Sequence, residues 1–287
     1  MKLNSLSKRN DIVSLEKLEQ ILIAQKDDLY IALSGGIDSI TLMTVADAVR
    51  TAPTIAVHAV SAAVPPDATQ RCRELALQHS WQLLELDAGE LNNKQYVANP
   101  VNRCYYCKSS LFDSILFKLG SDSCIATGTN ADDPGDYRPG LEAAGERGVW
   151  QPYVEAAIDK AGIREIAVQY GLGELSQLPA QPCLSSRIET GISINTDDLG
   201  FVYKMEKALK ARCGAGDIRC RVVAGGIVVQ LPASHLVFSS DSEHRSTEEL
   251  IKKICAAERR TFLKIEPYKM GSAFVHNEKD RVADSGV

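Results

Sequence analysis

A short apolar run, Leu29-Tyr30-Ile31-Ala32-Leu33, stops at Ser34-Gly35-Gly36-Ile37-Asp38-Ser39 and is followed by apolar residues at Ile40, Met43, Val45, Ala46 and Val49. That order requires a buried strand to turn abruptly into an amphipathic helix. Gly35 and Gly36 open backbone angles closed to other residues and leave no side chain to keep an anion away. Backbone N–H groups of the turn and of the first helical residues then converge above the helix N-terminus, where they suit a phosphate. The loop is not a Walker A motif, because no Gly-Lys-Ser/Thr closes it.

The rest of the first half repeats the same unit. Ser14 to Gln25 has the spacing of a helix, Thr54 to Val60 is a nearly continuous apolar strand, Asp67 to Gln78 a helix, and Leu83 to Leu86 a third strand. Ser110 to Leu119 reads as a helix with Cys104 and Cys107 near its start, Cys124 to Thr127 as a fourth strand, and Ile158 to Tyr170 as a helix. Alternating strands and helices predict an α/β fold, a doubly wound parallel sheet with its ligand site at the carboxyl ends of the strands. The long polar loop through Asp132, Asp133, Asp136 and Arg138 lies at such an end.

Beyond about Gly191 the texture changes. Asp197 to Arg212 is an amphipathic helix, Asp217 to Leu231 a hairpin through Ala224-Gly225-Gly226, Thr247 to Arg259 a helix and Phe262 to Ile265 a short strand. The expected organisation is a nucleotide-binding domain over residues 1–190, a small α+β domain for substrate binding or oligomerisation over 191–270, and a disordered tail over 271–287.

At 287 residues with 45% hydrophobic content there is room for about two globular domains. The polar opening lacks the apolar core of a signal peptide and no stretch reaches a membrane span, so a cytoplasmic protein without membrane partners is expected. A net charge of -5 argues against a broad grip on nucleic acid.

Eight cysteines without a secretion signal point away from a disulfide framework. Cys72, Cys124, Cys213, Cys220 and Cys255 read as small core residues. Cys104-x-x-Cys107 admits a redox pair, half of a zinc site or part of an iron–sulfur site, and Cys183 is presented between Pro179, Pro182 and Ser185-Ser186-Arg187. Three thiolates at Cys104, Cys107 and Cys183 would leave one iron of a 4Fe–4S cluster open. A zinc site or a bare reactive Cys183 are the alternatives.

The loop Ser34 to Ser39 resembles that of the PP-loop ATP pyrophosphatases, the adenine nucleotide α-hydrolase type, which cut ATP between the α and β phosphates. Taken with Cys104 to Cys107, Thr127 to Asn130, Asp132 and Asp133, Asp136 to Gly140 and Cys183 to Arg187, it resembles the LarE family over most of the chain, to about Pro232. The resemblance implies an ATP-dependent sulfurtransferase acting on pyridinium-3,5-biscarboxylic acid mononucleotide in nickel-pincer cofactor synthesis. ATP would adenylate a carboxylate, sulfur would attack, and AMP would leave. It further implies ATP, Mg²⁺ and a 4Fe–4S cluster as cofactors, with nucleotide contacts from Ser34, Gly35, Gly36, Asp38, Ser39 and Gly128. Asp38 and Cys183 would be catalytic, with Cys104, Cys107 and Cys183 as cluster ligands.

Arg219 and Arg221, two apart on a strand, would grip the substrate phosphate, with Arg138 and Arg187 as further anion contacts. The resemblance also implies a homo-oligomer. For Arg219 and Arg221 an ordinary solvated, salt-bridged strand face is the competing reading. Glu206 matches a position near an interface metal, but Gln230 stands where a second acid would, and no metal is assigned there. A PP-loop tRNA thiolase with the same cysteine set, and a nucleotide-binding subunit without catalysis, are the rival functions; the charge balance and the intact Ser34, Asp38 and Ser39 count against them.

Overall fold

The computed structural model describes residues 3–133, 139–214, 216–236, 241–269 and 271–273. In chain order the elements run α1 (Leu3–Ala24), β1 (Leu29–Ala32), α2 (Ile37–Val49), β2 (Thr54–Ala59), α3 (Pro66–His79), β3 (Gln82–Leu86), α4 (Lys94–Val97), α5 (Arg103–Leu119) and β4 (Cys124–Ala126). They continue with α6 (Pro139–Glu146), α7 (Pro152–Glu155), α8 (Lys160–Gln169), α9 (Thr196–Cys213), β5 (Arg219–Val223), β6 (Gly226–Leu231), α10 (Ala233–Leu236), α11 (Asp241–Ala257) and β7 (Phe262–Pro267).

The chain divides into two compact units: Met1–Glu90 with Cys104–Gln181, and Leu91–Arg103 with Pro182–Val287. The division after Gln181 precedes the change of texture near Gly191, and Leu91–Arg103 leaves the first unit to join the second. That segment's exchange is invisible in local pattern, since it is made by long-range bonds. Asn99, fully buried, donates from Nδ2 to the carbonyls of Glu189 and Ile192, each at 2.9 Å, and the Tyr96 and Ser185 hydroxyls meet at 2.5 Å.

The first unit is the α/β fold. Its parallel sheet has the order β3-β2-β1-β4, so β1 lies inside and the chain reverses direction of growth between β1 and β4. Leu29 and Ile31 on β1, Ala56 on β2, and Ile40, Met43 and Val45 on α2 are buried in one core with Leu18, Leu22, Ile163 and Ile166. Phe112 and Ile115 of α5 share a second core with Ile55, Val57 and Ile125. Strands covered on both faces account for the unbroken apolar runs of β1 and β2. Helix α1 extends from Leu3, well ahead of the expected Ser14, because no glycine or proline interrupts the intervening residues. Helix α8 starts at Lys160 because Asp159 caps it, Oδ1 accepting from the Gly162 amide at 2.8 Å.

In the second unit β5 and β6 pair antiparallel and β7 pairs parallel to β6 after α11. The hairpin turns at Gly225, φ 88°. At Gly226 a Cβ would come within 2.3 Å of the Thr261 carbonyl oxygen, so glycine lets β7 close onto the hairpin. Among the described residues no helix is long and apolar enough to cross a membrane. Residues 274–287 of the expected tail fall outside those described, as does the loop of Asp136 and Arg138.

Candidate active site

The residues after β1 form a self-bonded loop at the carboxyl end of the inner strand. The Ser39 hydroxyl accepts from the Ser34 amide at 3.1 Å and donates to the Gly36 carbonyl at 3.1 Å. Its single proton is thereby used, so the Ser34 hydroxyl donates to Ser39 Oγ at 3.1 Å and accepts from the Gly36 amide at 3.3 Å. Gly35 takes φ +78°, and a Cβ there would meet Ala68 of α3, its carbonyl oxygen at 2.8 Å. Gly36 is the N-cap of α2 and provides no side chain to fill the position above the helix. The N–H groups of a loop and a helix N-terminus thus lie together, the arrangement that binds phosphate.

Helix α3 backs this loop in two further places. His58, buried on β2, joins Leu33 to α3. Its Nδ1 lies 2.8 Å from the Leu33 carbonyl, which can only accept, so Nδ1 carries the proton and Nε2 accepts from Thr69 Oγ1 at 2.9 Å. Burial holds the His58 pKa below the ordinary imidazole value, keeping it neutral in this bridge. Arg71 Nη1 donates to the Gly35 carbonyl at 2.7 Å. None of these supports carries a motif in the sequence; the strand residue His58 and helix residue Arg71 come to the loop through the parallel pairing of β2 with β1.

Asp38, in the first turn of α2, has its carboxylate ion-paired with Lys160 at the start of α8, while its carbonyl accepts from the Tyr153 hydroxyl at 3.1 Å. Lys160 was not anticipated from the sequence. Its placement comes from the loop after β4: Asp132 Oδ2 accepts from the Lys160 amide at 3.0 Å and Asp133 Oδ2 from the Asn130 amide at 2.9 Å. Asp132 and Asp133 therefore organise the rim instead of facing it. Gly128 packs on the loop itself, since a Cβ there would be 2.7 Å from the Ser39 nitrogen and 2.8 Å from the Asp38 carbonyl carbon. Ser34, Gly35, Gly36, Asp38, Ser39 and Gly128 are brought together.

Cys104 and Cys107 stand one turn apart at the start of α5, both half-buried, on a shared helix face. Cys183 belongs to the second unit, half-buried at the N-cap of the short helix Leu184–Arg187. Among the described residues no three His, Cys, Asp or Glu side chains are grouped to hold a metal ion. What the second unit does contain is a strap. The segment ending at Arg103, immediately before Cys104, bonds to the segment following Cys183: Tyr96 to Ser185, Asn99 to Ile188, Glu189 and Ile192, and the Gly191 amide to the Asn99 carbonyl at 2.9 Å.

Arg187 corrects the expectation of an open anion contact. Its guanidinium is buried in a two-bond pair with Glu206, at 2.8 and 3.0 Å, and Nη1 donates to the carbonyls of Pro182 and Cys183 and to Ser186 Oγ. Glu206 also accepts from the Cys220 amide at 3.0 Å. Arg187 therefore fixes the backbone that presents Cys183, and Glu206 neutralises it. Arg138 lies outside the described residues.

Arg219 and Arg221 are buried, not solvated. Arg219 donates to the Ile218 carbonyl and pairs with Asp217 at 3.0 Å, its guanidinium 5.2 Å from the Tyr268 ring centre. Arg221 donates to Gln230 Oε1 at 3.0 Å and to the Ser186 carbonyl at 2.7 Å. Burial first, then the positive charges of Arg187 and Arg219, lower the Arg221 pKa to about 10. With Arg187 neutralised by Glu206 and Arg219 paired with Asp217, the local positive charge that an anion would relieve is that of Arg221, which is bonded to the neutral oxygens of Gln230 and Ser186.

A scan against protein-family models finds no match. Among curated proteins the chain is 37% identical over 229 residues to the uncharacterised protein slr1717 of Synechocystis, covering 77% of this chain and 82% of that one. The uncharacterised protein MJ0830 of Methanocaldococcus jannaschii is 28% identical over 233 residues, 78% of this chain and 84% of its own. The pyridinium-3,5-bisthiocarboxylic acid mononucleotide synthase of Lactiplantibacillus plantarum is 25% identical over 231 residues, 78% of this chain and 83% of its own.

Proposed function

This chain belongs to the family of the Synechocystis protein slr1717, and from that premise we propose that it is an ATP-dependent sulfurtransferase of the LarE type. It converts a carboxylate of pyridinium-3,5-biscarboxylic acid mononucleotide into a thiocarboxylate, a step in nickel-pincer cofactor synthesis. The observation that carries the reading is the self-bonded loop of Ser34 to Ser39, in a chain 25% identical over 231 residues to a synthase of that class of product.

A carboxylate has no leaving group that sulfur can displace under mild conditions, so activation must come first. The amides at the start of α2 receive the β and γ phosphates of ATP, where the dipole of α2 favours their charge, and the hydroxyls of Ser34 and Ser39, bonded to each other and to the loop's own backbone, hold the loop in shape around them. Lys160 adds a cation at the rim, and the Asp38 carboxylate paired with it would offer an oxygen to Mg²⁺. The substrate carboxylate oxygen attacks the α phosphorus, the bond to the bridging oxygen breaks, and pyrophosphate is retained by the loop. Sulfur then attacks the acyl carbon and AMP leaves with the former carboxylate oxygen. Arg219 and Arg221 hold the phosphate of the pyridinium nucleotide.

Cys104, Cys107 and Cys183 supply the soft thiolate set that suits a 4Fe–4S cluster, whose open iron would provide a place for sulfide. The strap between the Arg103 and Ser185 segments supports that reading, because it ties the residue before Cys104 to the residues after Cys183. We place the protein in the cytoplasm as a homo-oligomer, with an external sulfide donor and no nucleic-acid partner. Anaerobic protein supplied with iron and sulfide tests this: the wild type should show cluster absorbance, and Cys183→Ala should lose it while still releasing pyrophosphate with substrate.

A further inference from the structure

Arg71 joins the loop after β1 to the chain that leads into Cys183. Its Nη1 has two protons and two acceptors: the Gly35 carbonyl at 2.7 Å, inside the phosphate loop, and Gln181 Oε1 at 3.1 Å. Gln181 is the last residue of the first unit and only Pro182 separates it from Cys183. Proline fixes its own φ, one of the four soft backbone angles between the two Cα atoms, so part of a displacement of Gln181 passes to Cys183. Arg71 itself is firmly based, because Ala68, one turn earlier on α3, lies against Gly35, and Thr69 is bonded through His58 to Leu33.

We propose that Arg71 is a latch operated by phosphate, linking occupancy of the loop to the freedom of the Cys183 segment. The inference rests on the ATP reading of that loop. With the loop empty, Arg71 divides its protons between Gly35 and Gln181. A neutral amide oxygen is a weak competitor for a guanidinium once a phosphate oxygen is near, since charge-assisted bonds are roughly twice as strong as neutral ones. Binding of phosphate draws Nη1 away from Gln181 and loosens the chain on the N-terminal side of Cys183, while Arg187 still holds the carbonyls of Pro182 and Cys183. The device would hold the Cys183 segment back until the carboxylate can be activated. Arg71 is a positioning residue in this scheme, acting on Cys183 through Gln181.

The test is the iodoacetamide alkylation rate of Cys183, followed peptide by peptide by mass spectrometry in the full chain without its cluster, with and without Mg²⁺–pyrophosphate. Pyrophosphate affinity is measured alongside by calorimetry. In wild type, pyrophosphate should speed alkylation about two- to tenfold, the span that one hydrogen bond of ordinary net strength permits. Gln181→Ala should alkylate fast in both conditions and bind pyrophosphate about two- to tenfold more tightly, because the ligand no longer has to displace the amide, and Arg71→Ala should be equally indifferent to pyrophosphate but bind it more weakly. A merely structural role would raise both rates and preserve their ratio. Unchanged pyrophosphate dependence in Gln181→Ala overturns the latch while leaving the ATP reading standing. Failure of wild type to bind pyrophosphate or ATP overturns both, whereas binding without any change at Cys183 overturns the latch alone.

Discussion

A Cβ at Gly128 would stand 2.7 Å from the backbone nitrogen of Ser39, so the residues after β4 and the first turn of α2 touch backbone to backbone. The neighbour is main chain, which cannot swing aside as a flexible side chain could. Gly128→Ala therefore forces the loop to move, and overpacking of this kind costs about 1–3 kcal/mol. The expected outcome is a folded protein with a lowered denaturation midpoint and at least about tenfold weaker ATP binding, the size of a 1.4 kcal/mol loss. Wild-type affinity in this variant would show that the loop's backbone does not carry the phosphates.

Arg187 and Glu206 form a pair with each side chain about 5% exposed. Removing one member strands the other charge away from water. Glu206→Ala or Arg187→Ala should each cost about 3–5 kcal/mol of stability. The double variant should lose much less than the sum, because the second change removes the stranded charge. Urea unfolding of the four proteins measures the coupling.

His58 sets a pH dependence. Its folded pKa is lowered by burial, so between that value and the ordinary imidazole pKa of about 6.5 the unfolded chain binds the extra proton and the folded chain does not. The stability it contributes is fully present above about pH 6.5 and is lost as pH falls towards the depressed value. Urea midpoints should drop below pH 6.5 in wild type and drop less in His58→Gln, whose amide cannot take up that proton.

The positive charge around Arg221 should be relieved by a bound anion. With the loop of Ser34 to Ser39 already saturated by Mg²⁺–pyrophosphate, inorganic phosphate should further raise the melting temperature of wild type, with the effect fading as salt screens it. Arg221→Gln should abolish most of that rise and weaken binding of the pyridinium mononucleotide by roughly tenfold or more, in line with the strength of charged hydrogen bonds. A rise that survives in Arg221→Gln would move the anion site elsewhere.

The sheet was legible because each of its strands is bounded by turn residues and separated by a helix with clear periodicity. The strand-to-helix turn of Ser34 to Ser39 was legible because Gly35 and Gly36 sit where a strand becomes a helix. His58, Arg71 and Lys160 were not, since each reaches the loop from an element that alone looks ordinary. Arg187 read as an anion contact because sequence shows its charge and its loop but not Glu206, which meets it from α9. Arg219 and Arg221 were correctly placed on one strand, but only tertiary packing decides whether such a face is buried. The transfer of Leu91–Arg103 to the second unit depends on Asn99, whose three carbonyl partners lie about ninety residues onward.

The most direct measurement is a reaction of the anaerobically prepared protein with ATP, Mg²⁺, sulfide and pyridinium-3,5-biscarboxylic acid mononucleotide, followed by mass spectrometry and by AMP and pyrophosphate release. The account expects AMP and pyrophosphate to appear only with the pyridinium nucleotide, and the product to be heavier by the exchange of one oxygen for sulfur at each turnover. Release of AMP and pyrophosphate with that nucleotide absent, or a product mass unchanged after ATP is consumed, would contradict it.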